Sequence, residues 1–269
     1  MLDSRAVIKG FYDLDTPVTL DSSRSGEPVD YIPDEGLSGF DIVLSYTGGR
    51  ALTELATRFG ARAVAPLYGS VDPETHFPVR PVERFRGALS YLGTYAVDRH
   101  ESLERLFLQA ASRIPEVRFQ LAGAQYPSSF SWRPNVTYTP HVPPPMHPAF
   151  FCSSRATINI TRGIMAAYGY CPSGRMFEAA ACGAPMLSDQ WEGLERFFEP
   201  GREVLPVGDS DDVVSALALS EAELSAVAEA ARARVLAEHT ADRRAKELES
   251  ICERVRGCGR SARPELSAA

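Results

Sequence analysis

Lysine is nearly absent from this chain. Of its 28 basic residues only Lys9 and Lys246 are lysines, so any grip on an anion must come from arginine forks and backbone N–H groups. No apolar run approaches the ~18 residues that a membrane helix needs. The opening Met1-Leu2-Asp3-Ser4-Arg5 lacks a basic stretch ahead of an apolar core, so no secretory leader is expected and a cytoplasmic protein is. The five cysteines, Cys152, Cys171, Cys182, Cys252 and Cys258, form no Cys-x-x-Cys pair and have no metal spacing. That excludes a zinc ribbon or a redox pair and leaves buried or incidental thiols. Gly-x-Gly-x-x-Gly, P-loop and His-Glu-x-x-His patterns are also missing. A net charge of −7 argues against a general nucleic-acid binder while leaving room for one local anion pocket.

What is present is the composition of an ordinary globular protein, with 44% hydrophobic and 23% charged residues. Short apolar runs alternate with helical patterns along the whole chain, the mark of parallel α/β architecture. Strands are expected at 6–12, 40–46, 63–68, 88–92, 117–122, 135–138, 156–160 and 186–188. Helices are expected at 51–59, 99–114, 149–154 and 173–182, with one or two long ones across 221–255. The stretch 16–37 reads as loop with room for one short helix. Pro73, Pro78 and Pro81 interrupt regular structure and suggest a hinge. The expected organisation is a first lobe over 1–80, a second over 81–257, and a tail over 258–269.

The segment from Cys171 to Asp189 is the most informative. Ser173 suits a helix N-cap, and Gly174 leaves the first turn open to close approach. Free N–H groups and the helix dipole favour an anion there, and Arg175 adds a formal charge. Glu178 lies about a turn further in, within an otherwise small and apolar helix (Ala179, Ala180, Ala181). A carboxylate in that setting needs partners, and a ribose diol is one candidate. A capped helix packed on a sheet with no ligand is the alternative reading of the same residues.

Phe177-Glu178-Ala-Ala-Ala-Cys-Gly-Ala-Pro185 resembles the donor-site helix of group 1 glycosyltransferases, which have the GT-B fold, and most nearly the CgeB-like (spore protein) variant. Three more segments match in order. Pro66-Leu-Tyr-Gly-Ser-Val-Asp72 is similar to the end of the first domain in these enzymes, and Leu89-Ser-Tyr-Leu-Gly93-Thr94 to the first strand and turn of the second. The stretch from Ser188 through Glu195 to Gly201 is similar to the loop and return strand after the donor helix. The resemblance covers roughly 40–245. It implies two Rossmann-like lobes and metal-independent transfer of a sugar from a nucleotide-diphosphate donor, with no cofactor and no metal ligands. Ser173, Gly174 and Arg175 would hold the diphosphate and Glu178 the ribose. Arg99 stands in for the family's missing arginine–lysine pair. Tyr170 takes the place of the first of two glutamates that the family spaces eight apart, a position that contacts the sugar, so the resemblance makes Tyr170 a candidate for the base or sugar pocket.

Other residues at strand ends are candidates for a base or sugar pocket: Gln125, His141, Thr161 and Arg162. His141 and Arg162 also read as plain surface residues, and Trp191 as a core anchor. The first lobe looks short, as though it begins inside a domain. This predicts exposed Val7, Ile8, Phe11 and Val43 and a tendency to self-associate. No catalytic residue can be assigned. A nucleotide-sugar-binding or structural protein derived from such an enzyme is the alternative to an active transferase.

Overall fold

The computed structural model describes residues 5–257. Cys258 and the expected tail lie outside that range. In chain order the elements are β1 (Gly10–Asp13), α1 (Thr16–Arg24), β2 (Ile42–Ser45), α2 (Arg50–Phe59), β3 (Val64–Pro66), β4 (Gly87–Leu92), α3 (His100–Leu103), α4 (Gln109–Arg113), β5 (Phe119–Ala122) and β6 (Val136–Thr139). There follow α5 (His147–Cys152), β7 (Ser154–Asn159), α6 (Gly163–Tyr168), α7 (Gly174–Ala181), β8 (Met186–Ser188), β9 (Leu205–Pro206), α8 (Ser210–Leu217), α9 (Glu221–Glu238) and α10 (Ala241–Gly257). A π-helical stretch, Glu104–Leu108, joins α3 to α4 in one helical run. Among the described residues no helix is long and apolar enough to cross a membrane.

The chain forms two compact units. Described residues 5–69, 164–172 and 241–257 make the first, and 70–163 with 173–240 make the second. The proline-rich stretch 72–85 therefore falls within the second unit, and the first is assembled from three separate pieces of chain.

The first unit holds a parallel sheet in the order β1-β2-β3, with Val43 opposite Phe11 on one side and Val64 on the other. Strands that are apolar on both faces need cover on both. On one face Ile42, Leu44, Ala65 and Leu67 cluster with Ile251 of α10, and Ile8 and Val255 pack alongside. On the other, Val43 clusters with Leu37, Phe40 and Leu55 of α2, and Phe11 packs beside them. The expected apolar exposure is thus corrected. Val7 is exposed, but Val43 is fully buried and Ile8 and Phe11 are half-buried. The cause lies on both faces: Leu37, Phe40 and, from α2, Leu55 cover the face that holds Val43 and Phe11, and the chain returns as the highly charged α10 to cover the face beside Ile8 with Ile251.

The second unit holds six parallel strands in the order β6-β5-β4-β7-β8-β9. The chain lays down β4, moves outward through β5 and β6, then crosses to the far side of β4 to add β7. The order reverses between β4 and β7, and open α/β sheets bind ligands at the carboxyl ends flanking such a reversal. Leu89, Tyr91, Phe107, Phe119, Leu121, Ile158 and Leu187 fill the core with Val213 of α8. Two helix starts are fixed by side chains. The Asp209 carboxylate accepts from the Asp211 and Asp212 N–H groups at 2.8 and 3.0 Å, and Ser220 and Glu223 form a reciprocal capping box.

Candidate functional site

At the carboxyl end of β4 the backbone turns through Gly93 and Thr94, and two arginines brace the turn. The Arg175 guanidinium donates through Nη1 to the Leu92 carbonyl and through Nε to the Ser173 hydroxyl at 3.1 Å. It also lies 5.8 Å from the centre of the Tyr91 ring. Arg99 is only 9% exposed, and its Nη1 donates to the Tyr91 hydroxyl at 3.1 Å and the Thr94 carbonyl at 2.9 Å. A Cβ on Gly93 would stand 2.7 Å from Tyr91 Cζ and collide with the Arg175 guanidinium, so a side chain cannot enter without displacement. From the neighbouring loop Tyr126 donates its hydroxyl to the Gly93 carbonyl at 3.0 Å. Burial pushes the Tyr126 phenol well above its ordinary pKa, which keeps it a neutral donor.

The start of α7 meets this turn through Arg175. Ser173 occupies the N-cap position, with φ −73° and ψ 137°, but its side chain accepts no hydrogen bond from the helix. Its oxygen accepts from Arg175 instead. This corrects the expected cap: the hydroxyl orients a cation, and the first-turn N–H groups are left unquenched by it. A helix start with open N–H groups, a glycine first residue and a guanidinium beside it has the donors an anion requires.

Across the order reversal, the ends of β7 and β8 are tied together. Asp189, 9% exposed, accepts from the Thr161 backbone N–H at 2.9 Å and from the Thr161 hydroxyl at 2.8 Å. Asn159 donates to the Thr161 and Ser188 hydroxyls, each at 3.1 Å. Burial raises the Asp189 carboxyl above its usual range, although the hydrogen bonds from Thr161 and Ser188 and the charge of Arg99 oppose the rise. Thr161 is therefore held inside a hydrogen-bonded knot. Arg162 pairs through Nε with the Asp98 carboxylate at 3.1 and 3.2 Å.

Glu178 lies one turn along α7. Its Oε2 is buried, 3.5 Å from His147 Nδ1 and 3.9 Å from His76 Nε2, and hydrogen-bonds to neither. Burial alone would raise the carboxyl, but the interactions with His147 and His76, and the charge of Arg175, outweigh it and hold the pKa below its ordinary value. Sequence reasoning singled out neither histidine. His76 sits in the proline-rich stretch and His147 at the start of α5, and no local spacing links them to α7. Asp189 was likewise read only as part of a loop, although it follows directly on a strand end.

None of the contacts above involves the side chains of Gln125, His141, Tyr170 or Trp191. Gln125 is exposed in the loop after β5 with a left-handed φ of 67°, and His141 is exposed after β6. Tyr170 belongs to the first unit. Its backbone is left-handed at φ 45°, its carbonyl accepts from the Gly48 N–H at 3.0 Å, and its ring lies against Gly49. Trp191 is buried beside Phe197, a core anchor as expected.

Comparison with solved structures shows the same fold. Sucrose-phosphate synthase from Thermosynechococcus elongatus superposes with a TM-score of 0.63 at 14% identity, covering 83% of this chain and 60% of that one. Anabaena HepE in complex with UDP and glucose superposes with a TM-score of 0.64 at 12% identity, covering 91% and 77%. The pneumococcal O-GlcNAc transferase GtfA in complex with UDP and GlcNAc does so with a TM-score of 0.54 at 13% identity, covering 81% and 46%. This chain thus spans about three fifths of the synthase and under half of the pneumococcal enzyme. No curated protein matches the sequence significantly. The two parallel sheets, of three and six strands, are those of the GT-B glycosyltransferase fold. The sequence model for glycosyl transferase-like proteins matches residues 99–250, more than half of the chain, and the chain therefore belongs to the glycosyl transferase-like family.

Proposed function

We propose that the second unit binds a nucleotide-diphosphate sugar and that the chain takes part in transferring that sugar to an acceptor. The observation that carries this reading is the meeting of the α7 N-terminus, Arg175 and the Gly93 turn at the sheet's order reversal. The diphosphate rests on the first-turn N–H groups and Arg175, and Arg99 lies beneath the turn as a fixed positive charge. Glu178 accepts from the ribose hydroxyls. In the transfer step the bond between the anomeric carbon and the diphosphate oxygen breaks, its electron pair leaves on the diphosphate, and a bond to the acceptor oxygen forms while the acceptor hydroxyl gives up its proton to the departing diphosphate or to water. Donors aimed at the departing diphosphate stabilise the charge it gains.

Uridine diphosphate is the first nucleotide to try, because the HepE and GtfA structures contain it. The motif resemblance to CgeB-like proteins supports a hexose-like sugar. Arginine and backbone donors match the diphosphate directly, so added magnesium or manganese should leave its affinity unchanged.

The test is calorimetry with UDP and with 2′,3′-dideoxy-UDP. Glu178→Ala should weaken UDP by about 10- to 150-fold, the equivalent of ~1.5–3 kcal/mol for hydrogen bonds to a charged group. Removing the diol should cost the wild type a similar factor and the variant almost nothing. Equal losses of diol affinity in both proteins would overturn the ribose assignment. Transfer to candidate acceptors, assayed alongside, separates an enzyme from a protein that only binds.

A further inference from the structure

We propose that His76, His147 and Glu178 form a binding site for a zinc-class divalent metal ion. The three come from separate stretches of the second unit: the loop after Val71, the first residue of α5 and the middle of α7. Their donor atoms all lie within 4.8 Å of one another.

The hydrogen bonds behind the two imidazoles fix which nitrogens carry lone pairs. Thr75 donates its hydroxyl proton to the Asp72 carbonyl at 3.0 Å. With that proton so placed, the same oxygen, 3.0 Å from His76 Nδ1, accepts from an Nδ1–H group, and in the neutral ring the lone pair is on Nε2. On His147, Nε2 faces the Val142 carbonyl at 3.1 Å. A carbonyl only accepts, so Nε2 carries a proton, and in the neutral ring the lone pair is on Nδ1. Both lone pairs therefore face Oε2 of Glu178, at 3.9 and 3.5 Å.

Two imidazole lone pairs and a carboxylate oxygen repel one another unless positive charge lies between them. With both imidazoles neutral, no other protein donor supplies it, for Glu178 Oε2 and His76 Nε2 are both buried and without a hydrogen-bond partner. A proton on one imidazole relieves one contact, whereas a single divalent ion relieves all three. A tetrahedral zinc ion with ligands at about 2.1 Å sets its donor atoms about 3.4 Å apart. The separations from Glu178, 3.5 and 3.9 Å, lie near that spacing, and all three donor atoms fall within 4.8 Å of one another.

The outer nitrogens are already held by Thr75 and Val142, as metal-ligating histidines normally are. Two imidazoles and one carboxylate suit zinc rather than magnesium or calcium, which prefer all-oxygen sets. Three protein ligands leave a fourth position open. The site uses Oε2 of Glu178, so Oε1 stays available to the ribose assigned above. The metal site does not depend on that assignment.

The test uses the full chain, stripped with a chelator, dialysed and free of nucleotide, then titrated with zinc by calorimetry and with cobalt by visible absorption. A single ion per chain is expected, with cobalt bands of four-coordinate intensity. His76→Ala, His147→Ala and Glu178→Gln should each weaken zinc by on the order of 100-fold or more, since even outer-shell partners are worth about 10- to 100-fold. His141→Ala, an exposed histidine outside the cluster, should bind like the wild type. Circular dichroism checks that each variant is folded, and the wild-type cobalt spectrum tests the geometry without any substitution. Absence of stoichiometric binding to the wild type would overturn the proposal. So would zinc affinity retained in all three ligand variants.

Discussion

Replacing Gly93 with alanine tests the geometry of the site in one step. The added methyl would sit 2.7 Å from Tyr91 Cζ, closer than real side chains approach, and would also press on the Arg175 guanidinium. Arg175 can swing away, but Tyr91 cannot. Its ring is fully buried, and its hydroxyl accepts from Arg99 at 3.1 Å. The backbone turn must therefore shift, and overpacking of this kind costs about 1–3 kcal/mol. In a unit of this size each kcal/mol lowers the melting temperature by about 2–4 °C, so a fall of about 2–12 °C is expected. Because the shift also dislodges Arg175 from the Leu92 carbonyl, UDP affinity should drop by about tenfold or more, as for a charge-assisted hydrogen bond. Differential scanning fluorimetry reads the first effect and calorimetry below the transition reads the second. A Gly93→Ala protein with unchanged melting and unchanged UDP affinity would refute the account of this turn.

Two further substitutions test other parts of the structure. Ile251→Ala removes the buried side chain with which α10 covers one face of the β1-β2-β3 sheet, and should cost about 2–5 kcal/mol in denaturant unfolding, with increased binding of a hydrophobic dye. A loss below about 1 kcal/mol would mean that this face is not sealed by α10. Asp189→Asn tests the buried carboxylate. Folding raises its pKa above the 3.8 of a free side chain, so its neutral form is the one favoured in the folded state. Stability is lost as pH rises from the unfolded value through the folded one. The variant carries a constant offset from the weakened bond to the Thr161 N–H, but wild-type stability measured relative to it should fall across that window and then level off. A gap that stays constant from pH 3.5 to about pH 7, well past the free carboxyl value, would show that the carboxyl titrates normally.

Much of the fold was legible because it follows local rules. The run from Ser173 to Cys182 reads as a helix from its glycine and proline stop, and the structure forms Gly174–Ala181. The strand at Met186–Ser188 has the bounds expected of it. What escaped depends on contacts between distant segments. The burial of Val43 cannot be read from its own neighbourhood, because Leu55 covers it from α2 while Ile251 seals the other face of the sheet from near the end of the described chain. Very short elements also escaped: β9 has two residues and α6 six, too few to show a period. At the site, the lone carboxylate in an alanine helix signalled that Glu178 needed partners, but not which ones. His76 and His147 reach it only through the tertiary fold. Arg162, left between pocket and surface by the sequence, pairs with Asp98.

The scarcity of lysine has a structural counterpart at the Gly93 turn. An ammonium group is a single mobile charge, whereas a guanidinium has five donors in a rigid plane. Arg175 uses Nε on Ser173 and Nη1 on Leu92, which fixes the plane beside the start of α7. No hydrogen bond from Nη2 is seen among the described residues. Arg99 is anchored in the same way by Tyr91 and Thr94. Both cations are oriented before any ligand arrives, so a diphosphate meeting them need not also pay the entropy of ordering long flexible side chains. The Ser173 hydroxyl serves this orientation rather than capping the helix, which leaves the Gly174 and Arg175 N–H groups for the anion, that of Met176 being bonded to the Ser173 carbonyl at 3.0 Å. Glycine at 93, serine at 173 and arginine at 99 and 175 thus form one arrangement, in which each residue type is needed for a stated reason.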